Sequence, residues 1–206
     1  MRRLAILGAS GHGMVVAECA ECEGWREVVF FDDAWPACST NGVWKVVGNS
    51  NALLSDAASF DGVIVAIGDN DIRLKKQSEL LSQGVHIVSI IHPGSLLSNY
   101  AEIGVGSVVM AGVVINIGTK IGQSCIINTG STIDHDCVLG DAVHISPGVH
   151  LAGGVIVGKY TWVGIGSNVR QLVSIGKQTV VGAGSVVVKN LPDSVTAFGN
   201  PAQIIK

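Results

Sequence analysis

The chain has 206 residues, enough for one or two compact domains, and a net charge of −3 from 13 Lys and Arg against 16 Asp and Glu. With no basic stripe, nucleic acid is excluded as a partner. Polar residues or glycine interrupt every apolar stretch before the roughly eighteen residues a membrane helix needs, so no membrane insertion is expected.

In chain order, residues 3–8 read as a buried strand. Gly8-Ala-Ser-Gly-His-Gly13 then reads as a glycine-rich loop, and residues 14–23 as a helix with Val15, Val16, Cys19 and Ala20 apolar. A second strand over 27–31 ends in Asp32-Asp33. An irregular stretch follows, then a short strand at Val46-Val47, a helix near 51–56 and a strand over 62–67. Gly68-Asp69-Asn70 forms a turn, a helix covers 72–83, and a last strand covers 85–91. Alternating strands and helices predict a small parallel-sheet, Rossmann-like α/β domain over residues 1–90. The loop reads G-x-x-G-x-G, not the dinucleotide order G-x-G-x-x-G. A glycine turn between strand and helix still offers free backbone N–H groups at a helix N-terminus, which suits phosphate. Acids at the end of the second strand can bond ribose hydroxyls, and Gly68 and Asn70 fall on the same carboxyl edge. A nucleotide-sugar fits this half-fold better than NAD.

From Ile91 to Val187 every sixth residue is aliphatic, seventeen times without interruption. This period is the mark of a parallel β-helix built of hexapeptide repeats. Three hexads make one triangular coil of eighteen residues, stacked about 4.8 Å from the next. Each inward aliphatic side chain contributes roughly 1.5–3 kcal/mol on burial, before chain entropy is subtracted. The residue two places earlier is small or β-branched, as at Ser107, Thr119, Cys125 and Cys137. The residue after the aliphatic one is often glycine, as at Gly104, Gly122 and Gly140, which suits a corner of unusual backbone angles or close approach. This second domain covers residues 91–206.

The five cysteines lack paired spacing. Cys19 and Cys22 form C-x-x-C within a helical pattern, without a second pair or nearby His, so no metal site is expected. Free thiols fit a reducing, cytoplasmic setting.

The chemical centre is 127–137, Ile-Asn-Thr-Gly-Ser-Thr-Ile-Asp-His-Asp-Cys. His135 lies between Asp134 and Asp136. A neutral histidine can take a proton at physiological pH, and a carboxylate on its other nitrogen fixes the tautomer and raises basicity. Such a base can take a proton from a substrate nucleophile, with a donor needed for any oxyanion that forms. Eighteen residues after His135 comes Gly153, which should stack on it and leave room for a thin ligand beside the base.

The hexad series resembles the hexapeptide-repeat acyltransferases, a resemblance that implies a left-handed β-helix. The G-A-S-G-H-G loop, the D-D pair, A-I-G-D-N-D-I-R, the hexads and the tail Gly199-Asn-Pro-Ala202 together resemble one acetyltransferase family. It includes the N-acetyltransferases of nucleotide-activated 4-amino-4,6-dideoxy sugars, among them the bacillosamine-pathway enzymes, and the sialic acid O-acetyltransferases. The resemblance spans almost the entire chain and implies direct transfer from acetyl-CoA for glycan biosynthesis, with no metal. It implies His135 as base, with Asp136 as its orienting acid, although relatives often carry Glu there. It places the nucleotide-sugar on Gly11, His12, Gly13, Asp32, Asp33, Gly68 and Asn70. It places acetyl-CoA between two subunits of a homotrimer, along His144, Gly153, Ile165, Gly182, Ala183 and Gly184. His92, His86 and His150 read as structural.

The leading expectation is acetylation of the 4-amino group of a UDP-linked 4-amino-4,6-dideoxy sugar. Sialic acid O-acetylation and a non-catalytic nucleotide-sugar scaffold are the alternatives.

Overall fold

The computed structural model describes residues 2–206. Contacts within the chain group it into one compact unit ending at Pro93 and a second unit, Gly94–Lys206.

The first unit contains β1 (Arg3–Leu7), α1 (Gly11–Glu23), β2 (Glu27–Phe31), β3 (Thr40–Asn41), β4 (Trp44–Gly48), α2 (Ser50–Asp56), β5 (Gly62–Val65) and α3 (Asn70–Ser82). The sheet order is β3-β4-β2-β1-β5, parallel except at the β3–β4 edge. β1 is central and apolar, and Leu4 to Leu7 are buried, as a strand covered on both faces requires. Ala5, Leu7, Phe31, Val63 and Val65 form one face and pack with Leu53 of α2 and Leu80 of α3. The order of the parallel strands turns about β1, with β2 on one side and β5 on the other. The carboxyl ends of these strands therefore open a crevice, the usual ligand position in open α/β sheets.

Three local expectations are corrected. The glycine-rich loop ends at Ser10, and Gly11, His12 and Gly13 already form the first turn of α1. The reason is close packing: a Cβ on Gly13 would clash with the Gly8 carbonyl and lie 2.9 Å from Phe30. The strand expected over 85–91 is an isolated bridge from Ile87 to Val63 and the two-residue strand Ile90–Ile91. The irregular stretch hides the short β3–β4 hairpin.

The second unit is a left-handed parallel β-helix. Two-residue strands recur every six residues and form three faces. The first face carries Val114, Thr132, His150 and Asn168, the second Lys120, Val138 and Ile156, and the third Ile126, His144 and Trp162. Each strand pairs with the one eighteen residues later, such as Thr132 with His150 and His144 with Trp162. The inward aliphatic residues from Val109 to Val187 are buried. Beside them the small polar residues donate to carbonyls fifteen positions on: Ser107 Oγ to Gly122 (3.0 Å), Thr119 Oγ1 to Asp134 (2.9 Å), Cys125 Sγ to Gly140 (3.2 Å) and Cys137 Sγ to Ala152 (3.3 Å). Those bonds make hydroxyls tolerable in a dry interior.

Glycine after the aliphatic position serves close approach alone: a Cβ on Gly122 or Gly140 would lie 2.6–2.7 Å from the backbone nitrogen of Asp141 or Lys159. The unusual angles fall two residues further on. There φ is positive at Gly118, Ser124, Gly130, Asp136, Ala142 and Tyr160 alike. Beyond the last hexad, Thr196–Gly199 extends the third face beside Val180–Val181, and Ala202–Ile204 folds back antiparallel on it.

Candidate active site

His135 follows the strand Thr132–Ile133, on the edge where the first face turns into the second. Its Nδ1 lies 2.8 Å from Oδ2 of Asp136, so an ionised Asp136 accepts the Nδ1 proton and leaves Nε2 able to take another. The imidazole is 57% exposed. The bond to Asp136, and then the charge of Asp134, raise its pKa above the ordinary histidine value. Asp134 turns the corner: its Oδ1 accepts the His135 N–H and the Asn116 amide, both at 2.8 Å. Those two bonds, the Asn116 one first, hold its carboxyl below the ordinary range. Gly153 stacks on His135 as the eighteen-residue register requires. A Cβ there would lie 2.5 Å from Nε2.

The third face bears a groove of about 370 Å³ lined by Asn128, His144, Trp162, Ile165, Gly182 and Ala183, among others. Four of the residues expected to meet acetyl-CoA therefore converge. The His144 ring stacks on Trp162 at 5.6 Å between centroids and 9° between planes, and Trp162 Nε1 donates to Ser146 Oγ at 2.7 Å. Trp162 was not singled out by sequence reasoning, yet it lies eighteen residues after His144, so the coil period identifies it. Gly153 and His135 are not in this groove. In a triangular prism the edge between the first and second faces is opposite the third face, so one chain does not bring the imidazole and the groove together.

In the first unit, the crevice at the carboxyl ends of β1, β2 and β5 is a cavity of about 350 Å³. It is lined by Gly8, Ser10, Asp32, Asp33, Gly68 and Lys76, with further residues from the same loops. Asp32 braces the glycine loop, accepting from Ala9 N–H (2.7 Å) and Ala34 N–H (2.9 Å). Asp33 accepts from Ser50 N–H (2.9 Å) and Lys76 Nζ (3.3 Å). Ser50, and secondly Lys76, hold its carboxyl below the ordinary range. Gly11 has open space beside it, whereas Gly13 is buried by helix packing. Lys76 is a cation that sequence reasoning passed over. Its signal was helical spacing: position 76 is one turn on from Ile72, which also lines the crevice.

Two further side chains stand behind this crevice, Arg73 fully buried and His12 half-buried. Arg73, 1% exposed, donates to the carbonyls of Ile67 (3.0 Å) and Gly68 (3.1 Å) and to Asn70 Oδ1 (2.8 Å), which fixes the turn that carries Gly68 and Asn70. His12 has a buried Nε2 without a hydrogen-bond partner among the described residues. Burial, and secondly the charge of Arg73, push its pKa down to about 4. Among the described residues no group of His, Cys, Asp or Glu is arranged to hold a metal ion, and no helix is long and apolar enough to cross a membrane.

Residues 3–80 match the PglD N-terminal domain family, and residues 118–153 match the bacterial transferase hexapeptide family of six repeats. The chain is 32% identical over 191 residues to GDP-perosamine N-acetyltransferase of Escherichia coli O157:H7, covering 90% of this chain and 86% of that enzyme. It is 37% identical over 118 residues to UDP-N-acetylbacillosamine N-acetyltransferase of Bacillus subtilis (strain 168); that match covers 54% of this chain and spans about half, 52%, of the relative. In three dimensions it is similar to the acetyltransferase domain of PglB from Neisseria gonorrhoeae FA1090 in complex with acetyl coenzyme A. There the TM-score is 0.95, at 40% identity and 99% coverage of both chains.

Proposed function

The chain belongs to the hexapeptide-repeat N-acetyltransferases with a PglD-type N-terminal domain, and from that membership we propose that it carries acetyl from acetyl-CoA to the 4-amino group of a UDP-linked 4-amino-4,6-dideoxy sugar. The observation that carries this reading is the His135–Asp136 pair, held at 2.8 Å on an open edge beneath a glycine. The Bacillus subtilis relative, matched over 54% of this chain, is named for a UDP sugar, and the Escherichia coli relative, matched over 90%, for a GDP sugar.

His135 Nε2 accepts a proton from the amine as its nitrogen attacks the thioester carbonyl. The N–C bond forms, the C–S bond breaks, and the proton passes to the departing thiolate of CoA. Asp136, bonded to Nδ1, stabilises the imidazolium formed on the way. The thioester donor lies in the groove of His144, Trp162, Ile165 and Ala183, whose apolar walls suit a pantetheine chain. Backbone N–H groups along the groove are the donors for the carbonyl oxygen. The crevice of the first unit takes the nucleotide. The open α1 N-terminus at Gly11 offers N–H groups to the pyrophosphate, and Lys76 adds a positive charge.

Because the His135 edge is opposite the groove in one prism, the active site draws its base from one chain and its groove from a second, in a homotrimer. Thiol release from acetyl-CoA, measured with UDP-, GDP- and dTDP-linked 4-amino-4,6-dideoxy sugars and with sialic acid, tests the reading. Release with the UDP-linked amino sugar, abolished in His135→Ala, is the expected result. Release only with sialic acid would make the chain an O-acetyltransferase instead.

A further inference from the structure

We propose that Gly118 is a positioning residue for the acetyl transfer: it leaves the space into which the Asp136 carboxylate folds while that carboxylate holds the His135 imidazole. The inference rests on the reading of His135 as the base.

Gly118 lies one coil below Asp136, on the same edge of the prism. A Cβ at Gly118 would stand 2.5 Å from Asp136 Oδ1 and 3.5 Å from its Cγ. The other oxygen, Oδ2, makes the 2.8 Å bond to His135 Nδ1. A carboxylate is a rigid plane, so displacing Oδ1 also displaces Oδ2. The backbone gives little relief, because the Asp136 N–H is fixed to the Ile117 carbonyl at 3.0 Å. The pair is thus held between two glycines: Gly153 on the coil above gives room to the ring, and Gly118 on the coil below gives room to the acid.

Backbone conformation does not account for Gly118. Its φ is +75°, but the same left-handed position elsewhere in the prism carries Ser124, Ala142, Tyr160, Leu172 and Gln178. An Ala in this conformation is therefore compatible with the fold, and the space beside Asp136 is what separates Gly118 from those positions. Gly112 provides the contrast. It has φ +70° one edge earlier, and a Cβ there would meet nothing closer than 3.7 Å.

The test compares Gly118→Ala with Gly112→Ala, following kcat against pH with melting temperature as a control. Gly118→Ala should lower kcat at least about tenfold, of the size expected when a base loses its orienting partner. Its KM for acetyl-CoA should stay unchanged. The acid limb of its kcat profile should move to lower pH, because the contribution of Asp136 to His135 basicity is gone while that of Asp134 remains. Gly112→Ala should keep the parental kcat and profile with a similar melting loss. The double variant Gly118→Ala/Asp136→Asn should be no slower than Asp136→Asn alone, since the glycine acts only through that acid. Parental kcat and profile in Gly118→Ala would overturn the proposal, as would a kcat loss with an unmoved limb or a multiplied loss in the double variant. The base assignment is tested separately by His135→Ala: normal turnover there removes that reading, whatever Gly118→Ala does.

Discussion

His135 and Gly153 stand one coil apart, and a single added carbon on Gly153 would lie 2.5 Å from Nε2 of the imidazole. The Nε2 side of the ring therefore has bare backbone above it. Gly153→Ala should push the ring off its bond to Asp136 or block the donor, lowering kcat at least about tenfold with the fold retained. Steady-state kinetics beside a thermal melt check this, and an Ala variant with parental kcat would show that the ring has room to spare.

His135→Ala should cost about 10²–10⁴-fold in kcat, the usual worth of a general base. With His135 as the proposed base, the neutral imidazole is the active form, and kcat should rise with pH through the His135 pKa. Asp136 is the largest cause of that pKa being raised. Asp136→Asn should therefore shift the acid limb to lower pH and also reduce the plateau. A limb that moves upward would contradict the sign.

Trp162 fixes the His144 ring by stacking and is itself tied to Ser146. Trp162→Ala should raise the KM for acetyl-CoA several-fold, in line with the loss of a stacked aromatic contact of about 0.5–1.5 kcal/mol. The KM for the nucleotide-sugar should not change. Paired KM measurements decide, and a shift confined to the sugar would remove this residue from the donor groove.

His12 is held neutral, with a pKa lowered to about 4. The unfolded chain binds this proton below about pH 6.5 and the folded chain only below about pH 4. Stability is therefore present above the unfolded value and falls as pH drops between the two, by at most about 3 kcal/mol. Urea melts from pH 7 to 4 should show a shallower decline in His12→Asn. An identical decline would locate the acid sensitivity elsewhere.

If one active site uses the His135 edge of one chain and the groove of another, two inactive variants should complement. Mixing His135→Ala chains with chains blocked by Ala183→Trp, then reassembling them, should restore activity that neither has alone. Mass measurement should give a trimer. A fully active monomer would refute the shared site.

The six-residue period was enough to derive the prism, its three faces and the stacking of Gly153 on His135, because each follows from counting along a chain whose coils have a fixed length. The same count, run downward from Asp136 and upward from His144, reaches Gly118 and Trp162. Residue type alone gave no reason to look there. In the first unit the glycine loop and the two acids were legible as a ligand edge. That Asp32 braces the loop, and that α1 begins at Gly11, was not, because both depend on how closely α1 packs against Gly8 and Phe30.

Sequence by itself determined the repeat, the register and the chemistry on offer at His135, because periodicity is a local property of the chain. Tertiary structure alone decided which oxygen of Asp136 meets Nδ1, that Arg73 ties down the Gly68–Asn70 turn, and that Asp32 braces the glycine loop. Those relations depend on side-chain directions and on packing between segments far apart in the chain, and no linear spacing encodes them.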